Sequence, residues 1–330
     1  MRSALVTGGA GFLGTHVAAR LARDGWRVRA TVHRRPPGLR VPGVEYVRAD
    51  LTRPEDCRRV VAGVERVVMC AAATSGAAVM VATPLAHVTP NVVMNAQMLD
   101  AAWTAGVDQF VFVSSSAAYP PTGDRPVAED EMLAGDPPPV YHAVGWMKRY
   151  AEILCELYAR RLPRRMRATV VRPSNVYGPW DKFDPATSHV TAALVRRVVA
   201  RERPLVVWGT GDDVRDLIYV DDFVEGLVRA AEATEDFLAV NVAAGEGHRV
   251  RDVLAALLAL DGFADADVRF DPTKPATVPI RLVDTRRARE RLGFTATTPL
   301  ATGLARTLAW YRAHRETRDA FEDAHAAPPG

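Results

Sequence analysis

The chain has 330 residues, of which 48% are hydrophobic and 25% charged, a balance that is typical of folded globular proteins and excludes disorder as the main state. Lys and Arg number 42 against 39 for Asp and Glu, so the net charge of +3 gives no field that favours nucleic acid as a partner. Apolar runs are too short for a membrane span, and three scattered cysteines without CxxC spacing favour a reducing cytoplasm.

The first half of the chain alternates short apolar runs with helical patterns. Met1 and Arg2 lead directly into the first run, without the apolar core and cleavage site of a secretory signal, so we expect none. The strand-like runs are 3–7, 27–32, 66–70, 109–114 and 167–172, and the helical patterns are a helix ending at Arg23 and segments 54–61, 91–105 and 145–160. This alternation predicts an α/β fold with a doubly wound parallel sheet.

The second half is less regular. Residues 174–188 are rich in Pro, Asp and Gly, and the later elements are a helix at 189–201, strands at 204–208 and 239–242, a helix at 250–260 and a last apolar helix ending near Tyr311. We predict a smaller C-terminal α/β lobe over 174–314 that binds substrate, with segments near 205–245 returning to the sheet. Residues 315–330, charged and then rich in Ala and Pro, read as a flexible tail.

Three glycines follow the first strand at intervals of three. Gly8, Gly11 and Gly14 lie where the strand ends and the first helix begins. Gly8 permits a tight turn, Gly11 lets the backbone approach a pyrophosphate, and Gly14 permits close helix packing, while the helix N-terminus favours the anion. Residues 1–173 are therefore predicted to form a dinucleotide-binding Rossmann domain.

The end of the second strand bears on the choice of dinucleotide. An acid that would hold the ribose 2′-hydroxyl of NAD is missing there, and Arg34 and Arg35 occupy the position instead. Guanidinium groups pair with a 2′-phosphate, so NADP is predicted, with NAD or plain solvated arginines as the alternatives. Asp50 and Leu51, after the third strand, are predicted to lie near the adenine, although Asp50 also suits an ordinary turn.

Together these motifs resemble the extended short-chain dehydrogenase/reductases that epimerise, dehydrate or reduce nucleotide sugars. A more specific resemblance, to the NADP-dependent GDP-L-fucose synthase family, rests on 114–120 (SSSAAYP), 172–179 (RPSNVYGP), 183–190 (FDPATSHV), 207–211 (VWGTG) and 215–222 (RDLIYVDD). The resemblance implies a cofactor-binding set of Gly8, Gly11, Phe12, Leu13, Gly14, Arg34, Arg35, Asp50, Leu51, Ala71 and Lys148.

The resemblance also assigns catalytic roles, with one departure. Ser115 matches the residue that polarises the C4 oxygen of the sugar, and Lys148 matches the lysine of a Y-x-x-x-K pair. The tyrosine position is Val144, which cannot transfer a proton. Tyr141 is a candidate substitute, but seven residues from Lys148 correspond to about 10 Å of helix rise against about 6 Å for the usual pair. Its alternative role is that of a tyrosine at the rim of the site.

A second departure concerns epimerisation. The family uses a cysteine two residues after the serine, and here that residue is Ala117. The family's histidine is present as His189, at a predicted helix start where the dipole lowers its pKa and keeps it a base. One base can exchange a proton or eliminate, whereas inversion usually needs an acid on the opposite face. A helix cap or a phosphate ligand is the other interpretation of His189.

The remaining implied contacts are with substrate. Asn175, Arg197 and Arg215 match positions that hold the sugar or the diphosphate, and Lys274 is expected to add charge near the nucleotide. Trp208 is a candidate wall of the base pocket, with a place in the core as the alternative. Asp221 and Asp222 are interpreted as a helix cap, so no metal is predicted. The family pairs subunits through a four-helix bundle, which predicts a homodimer.

The predicted function is thus NADP-dependent epimerisation or 4-keto reduction of a nucleotide-linked, 4-keto-6-deoxy hexose, with atypical acid/base residues. Dehydration or epimerisation without net redox is one alternative, because Val144 cannot act as the acid. A non-catalytic dinucleotide sensor is the other, although a sensor would have no need for His189.

Overall fold

The computed structural model describes residues 2–74, 83, 85–185, 187–274 and 278–324, with side chains up to Thr317. Its central sheet has seven parallel strands in the order β10-β6-β5-β4-β1-β2-β3. They are β1 (Ser3–Thr7), β2 (Arg27–Val32), β3 (Val44–Arg48), β4 (Arg66–Met69), β5 (Gln109–Val113), β6 (Arg167–Pro173) and β10 (Phe237–Val242). The strand order reverses at β1, between β4 and β2, and this reversal opens a crevice at the carboxyl ends of the strands.

Helices cover both faces of this sheet, which confirms the doubly wound prediction. The helices are α1 (Phe12–Arg23), α2 (Pro54–Val61), α3 (Leu85–Thr104), α4 (His142–Arg160), α5 (Val190–Val199), α6 (Val220–Ala231), α7 (Val250–Asp261), α8 (Arg286–Leu292) and α9 (Leu300–Ala324). Ala4 and Val6 of β1 pack with α1 and α6, whereas Leu5 packs with α2, α3 and α4. Both faces of the strand are buried because its side chains alternate between the two layers.

A second lobe is built from two smaller sheets. One contains β7 (Asn175–Tyr177), β9 (Val214–Tyr219), β11 (Gly247–Arg249) and β13 (Ile280–Arg281), and the other pairs β8 (Leu205–Trp208) with β12 (Val268–Asp271). Helices α5, α7 and α9 pack against one another beside them. Because β10 lies next to β6 in the central sheet, the chain does return to that sheet within 205–245. The proposed domain limits themselves stay a prediction.

Two helices extend further than the sequence pattern suggested. Helix α3 begins at Leu85, with Pro90 inside it, where the prediction began after the proline. The side-chain amide of Asn91 donates to the backbone carbonyl of His87 and so adds a hydrogen bond to the turn in which proline lacks an N–H. Helix α9 continues to Ala324, so 315–324 is helical and not the tail that was expected. That segment lacks Pro and Gly, whereas 325–330 lie outside the described residues. Among the described helices, all are too short or too polar to cross a bilayer.

A buried ion pair connects the sheet to α4 beneath the crevice. Arg172 of β6 lies 2.6 Å from Glu152, and the two side chains are only 5% and 6% exposed. Arg172 also donates to the Tyr119 hydroxyl at 2.8 Å, and Ser114 donates to Glu152. These bonds satisfy charges that would otherwise be very costly to bury.

Replacing one partner of this pair should therefore destabilise the fold. We expect Glu152→Gln to lower the free energy of unfolding by about 3–5 kcal/mol, because it leaves the Arg172 guanidinium buried without its counter-charge. The matched control is Glu156→Gln on the same helix, where Glu156 and Arg160 form a pair exposed by more than 40%. Its expected effect is below about 1 kcal/mol. Equal effects in urea denaturation would contradict a structural role for the buried pair.

Candidate active site

The glycine turn forms the end of the crevice nearest β1. Gly8 has a φ of +70°, and a Cβ added to Gly14 would overlap the carbonyl oxygen of Gly8. Helix α1 begins at Phe12 after Gly11, and within the described chain no side chain caps it. Its first amides are therefore available to an anion, as a pyrophosphate site requires. Leu13 lies in the same first turn, partly buried against the core.

Ala71 lies directly against this turn. Its amide donates to the Thr7 hydroxyl at 3.0 Å, and a Cβ on Gly8 would lie 2.9 Å from its Cα. The carboxyl ends of β1 and β4 thus meet at the switch point of the sheet, where the predicted cofactor residues Gly8, Gly11, Gly14 and Ala71 come together.

The other predicted cofactor residues lie after β2 and β3. Arg34 is exposed and Arg35 is half-buried, just after the end of β2. Asp50 accepts hydrogen bonds from the backbone and hydroxyl of Thr52, at 3.0 and 2.6 Å, which lower its pKa. This carboxylate therefore forms the turn that the sequence left open, while its second oxygen faces His33 at 3.8 Å. The Leu51 side chain is 5% exposed and packs in the core.

Ser115 and Lys148 flank the end of β5. The Ser115 Oγ accepts the Ala117 amide at 3.1 Å, which leaves its own O–H to donate to a ligand. The Lys148 ammonium donates to the Val113 carbonyl at 2.9 Å and lies 4.8 Å from the Phe112 ring centroid. Burial lowers the pKa of Lys148 to about 8, against the opposing charge of Glu152.

The two candidate positions for an acid on α4 differ in their surroundings. Val144 lies one helical turn before Lys148 and is partly exposed. Tyr141 precedes the helix as its N-cap residue and is 9% exposed, with the Arg281 guanidinium 4.4 Å from its ring centroid. Tyr141 is thus held in contact with a cation of the second lobe. Its catalytic role stays a prediction.

His189 lies across the crevice, immediately before α5. Its side chain makes no capping hydrogen bond, which argues against the interpretation as a helix cap. The residue is exposed at the surface, yet desolvation by the surrounding protein lowers the pKa of its ring, as do the nearby charges of Lys182 and Arg281. At neutral pH the imidazole is uncharged and can accept a proton.

Two arginines lie side by side behind His189. Arg215 of β9 and Arg281 of β13 are register neighbours in the second lobe. Burial and the charge of Arg281 lower the pKa of Arg215, which binds Asp213 at 2.9 Å. One terminal nitrogen of Arg281 is buried with no hydrogen-bond partner among the described residues. Two close guanidinium groups, with this Arg281 nitrogen unpaired among the described residues, favour an anion between the lobes.

Sequence reasoning did not find Arg281. It lies on a two-residue strand that no periodicity marks, and only its pairing with β9 brings it beside Arg215.

The other predicted substrate contacts are more dispersed. Asn175 begins β7 beside β9, and Trp208 ends β8 with 48% of its surface exposed. Arg197 donates to the Val206 carbonyl and so ties α5 to β8. Lys274 is exposed after β12. Contacts of these four residues with a substrate stay predictions.

A shallow recess adjoins the Ser115 turn. Its lining is mixed, with Ala117, Pro138 and Ile280 beside the polar side chains of Ser116 and Arg281.

The two acids at the start of α6 do not form a metal site. Asp222 accepts hydrogen bonds from the amides of Thr297 and Thr298, at 3.2 and 2.9 Å. It thus fixes a distant loop and does not cap its own helix, which corrects the expected role. Over the described ranges, no three His, Cys, Asp or Glu side chains are grouped to hold a metal.

Known proteins are similar to this chain in both sequence and fold. The model of the NAD dependent epimerase/dehydratase family matches residues 4–243. GDP-L-fucose synthase of Escherichia coli (strain K12) is 31% identical over 78% of this chain and 82% of its own, and dTDP-4-dehydro-6-deoxy-D-allose reductase of Streptomyces bikiniensis is 30% identical over 95% and 97%.

Solved structures agree with these relatives. UDP-glucose 4-epimerase of Thermotoga maritima, solved with UDP-glucose, has a TM-score of 0.86 at 27% identity, covering 95% of this chain and 99% of its own. The UDP-glucose 4-epimerase of Thermus thermophilus, solved with NAD, has a TM-score of 0.81 at 26% identity, covering 94% and 99%. The glycine turn, the Ser115 and Lys148 pair and the family match all agree, and the chain belongs to the NAD dependent epimerase/dehydratase family.

Proposed function

We propose that this protein is an NADP-dependent enzyme that modifies a nucleotide-linked 4-keto-6-deoxyhexose, as a 4-keto reductase, an epimerase or both. The arrangement of the cleft carries the proposal. An open helix N-terminus and the pair Ser115 and Lys148 line one wall, and the arginine pair Arg215 and Arg281 lines the other. The relatives named for GDP-L-fucose and dTDP-4-dehydro-6-deoxy-D-allose support the substrate class.

The residues of the first wall suit a dinucleotide. A side chain at Gly14 would overlap the turn, and the uncapped amides of α1 would bind the pyrophosphate. Arg34 and Arg35 would hold a 2′-phosphate, which favours NADP over NAD. When bound, the dinucleotide would supply or accept a hydride.

In this proposal each site residue has a separate role in binding or converting the sugar. The Ser115 hydroxyl donates a hydrogen bond to the C4 oxygen, and the Lys148 ammonium holds the nicotinamide ribose. His189, neutral and exposed, removes or returns a proton on a carbon next to the carbonyl. Arg215 and Arg281 bind the diphosphate, with Asn175 beside them. The apolar part of the recess beside Ala117, at Pro138 and Ile280, would accept the methyl group of a 6-deoxy sugar.

A second candidate function is dehydration or epimerisation without net redox. It is favoured by Val144, which cannot deliver a proton to the reduced oxygen. A non-catalytic dinucleotide sensor is the third candidate function. It would need neither the neutral His189 nor the adjacent guanidinium groups of Arg215 and Arg281.

Turnover tests these three functions directly. The purified protein should oxidise NADPH when GDP-4-keto-6-deoxymannose or dTDP-4-dehydro-6-deoxy-D-allose is added, with a reduced nucleotide sugar as product. A rearranged sugar with no change in NADPH would support the second function. Complete absence of conversion would support the sensor.

His189 should govern proton exchange on the sugar in the absence of reductant. In deuterium oxide we expect the parent protein to place deuterium next to the carbonyl, and His189→Gln to reduce that rate by about 10²–10⁴-fold. Because the pKa of His189 is lowered below its ordinary value of 6.5, the rate should hold at pH 6.5 and fall only in more acidic solution. Mass spectrometry of the recovered sugar measures both effects.

The control for this experiment is His314→Gln. His314 is exposed on α9, and its Nδ1 donates to the Trp310 carbonyl of the same helix at 2.8 Å. This variant should exchange like the parent. Unchanged exchange in His189→Gln would remove the histidine from the mechanism.

The cofactor preference rests on the end of β2. Changing both Arg34 and Arg35 to Ala should weaken NADPH binding by at least about tenfold, since two charge-assisted contacts to the 2′-phosphate are lost, with little change for NADH. Fluorescence titration gives both dissociation constants. Arg23→Ala, an exposed change at the end of α1, is the matched control. Equal losses for the two dinucleotides would exclude a role in 2′-phosphate recognition.

The homodimer is also part of the proposal. Trp146, Tyr150, Ile153 and Leu157 follow one face of α4, and each is at least 38% exposed. Their spacing forms an apolar stripe beside α3, with which α4 packs. Burying this stripe against a second copy would create the four-helix bundle.

A charge in the stripe should separate the subunits. Ile153→Glu is expected to shift the sedimentation coefficient from that of a dimer to that of a monomer, because a carboxylate would be buried at the interface. Leu260→Glu, at a comparably exposed leucine on α7, should leave the dimer intact. A parent protein that sediments as a monomer would contradict the proposed interface.

A further inference from the structure

Ser115 can donate a hydrogen bond to the C4 oxygen of the sugar, but the active site still lacks an acid that would protonate this oxygen on reduction. Val144 has no proton to give, and Tyr141 is buried beneath the Arg281 guanidinium. His189 is neutral and acts as a base. The Lys148 ammonium is directed at the Val113 carbonyl on the floor of the cleft. A 4-keto reductase built on these residues therefore needs an acid from elsewhere.

Lys182 crosses the cleft from the second lobe. It belongs to the loop between β7 and α5, yet its ammonium donates to the carbonyl and the hydroxyl of Thr74, both at 3.2 Å. Thr74 follows β4, on the cofactor side of the crevice. One flexible side chain thus spans the opening in which the nicotinamide and the sugar would meet.

The loop around Lys182 is fixed on both sides by aromatic packing. Before it, Trp180 has a φ of +66° and lies 4.9 Å from Trp310 of α9. After it, Phe183 is 1% exposed and stacks on Tyr311 with ring centroids 4.3 Å apart. A left-handed non-glycine residue persists only where its surroundings hold it. The anchored backbone leaves the lysine side chain as the part of this loop that can move.

Residue 182 is a lysine and not an arginine, and this difference bears on whether it can transfer a proton. The chain contains 39 arginines and only three lysines, which are Lys148, Lys182 and Lys274. Arginine remains protonated under all ordinary conditions, whereas a lysine amine can give up its proton and regain it. Two of the three lysines lie at the cleft. The charge of Lys182 also acts on His189, which places the ammonium near the sugar side of the site.

We propose that Lys182 is a catalytic residue of the proposed 4-keto reduction, and that its ammonium gives the sugar C4 oxygen the proton that Val144 cannot provide. The inference rests on the proposed function. The carbonyl carbon would gain its new C–H bond by accepting the hydride that a reduced dinucleotide supplies, and the π electron pair would move to oxygen. That oxygen would take a proton as one N–H bond of Lys182 breaks, and the neutral amine would regain one proton from bulk solvent, so that each turnover consumes one hydride and one solvent proton.

Three variants separate proton transfer from a merely structural bridge. Lys182→Arg keeps the charge and the reach to Thr74 but cannot transfer a proton, and Lys182→Met removes both. We expect each to lower kcat for 4-keto reduction by about 10²–10⁴-fold, the range of general acid catalysis. Substrate KM and the dissociation constant for NADPH should stay within about threefold of the parent. Adding Val144→Tyr to Lys182→Met should restore most of the lost rate, because a phenol then stands one turn from Lys148.

Two kinetic results would overturn the assignment. One is parental activity in Lys182→Arg, which would reduce the residue to a charged bridge. The other is a Val144→Tyr/Lys182→Met protein as slow as Lys182→Met alone, while Val144→Tyr by itself is folded and active. In both cases the parent still reduces its substrate, so the proposed function survives.

A spectroscopic readout tests contact without turnover. Because the chain has three lysines, selective carbon-13 labelling of the lysine ε position gives three signals, and Lys182→Met assigns one of them. With oxidised dinucleotide present, adding GDP-4-keto-6-deoxymannose or dTDP-4-dehydro-6-deoxy-D-allose should shift the Lys182 signal. A parent that binds these sugars without moving this signal would exclude contact. If the parent reduces neither sugar, the proposed function fails, and the same spectra still decide whether Lys182 touches the ligand.

Discussion

The contact between Gly14 and Gly8 fixes where chemistry can take place in this fold. Since a side chain at residue 14 would overlap the Gly8 carbonyl, helix α1 can approach β1 only with glycine there. That approach aims the uncapped amides of α1 at the switch point between β1 and β4. Ser115 and Lys148, at the end of β5 one strand further along the sheet, then face the same crevice. The buried Arg172 and Glu152 pair supports the floor below them.

The second lobe places several positively charged side chains near His189. Arg215 and Arg281 are neighbours on paired strands, and the charge of Lys182 reaches His189 nearby. Mutual repulsion among these cations costs folding free energy, and a dianionic diphosphate would relieve it on binding. The same positive charges lower the pKa of His189 further than desolvation alone does, which keeps its imidazole neutral. In the proposed function, the charges that would bind the diphosphate are therefore also those that keep the base uncharged.

The sequence predicted local secondary structure well, but it did not predict contacts between distant segments of the chain. The strands at 3–7 and 27–32 and the helix at 54–61 matched the structure because apolar periodicity and glycine spacing are local signals. Arg281, on a two-residue strand, carried no such signal, and Asp222 was expected to cap its own helix but binds the loop at Thr297. The pairing of Arg281 with Arg215 and the contact of Asp222 with Thr297 each join segments that are more than sixty residues apart in the chain. Lys182 likewise had no local signal in the sequence, because its hydrogen-bond partner Thr74 lies 108 residues earlier.

Valine at residue 144 of α4 is compatible with the proposed reduction, because the two transfers have different geometric demands. A hydride must pass between carbons held at a fixed distance and angle, and in the proposed function the glycine turn, Ser115 and Lys148 would set that geometry. A proton needs only a donor within hydrogen-bond reach of the oxygen, and the donor can come from any element that faces it. The residue that orients the carbonyl is therefore constrained to the end of β5. The residue that protonates it can move from α4 to an anchored loop across the cleft.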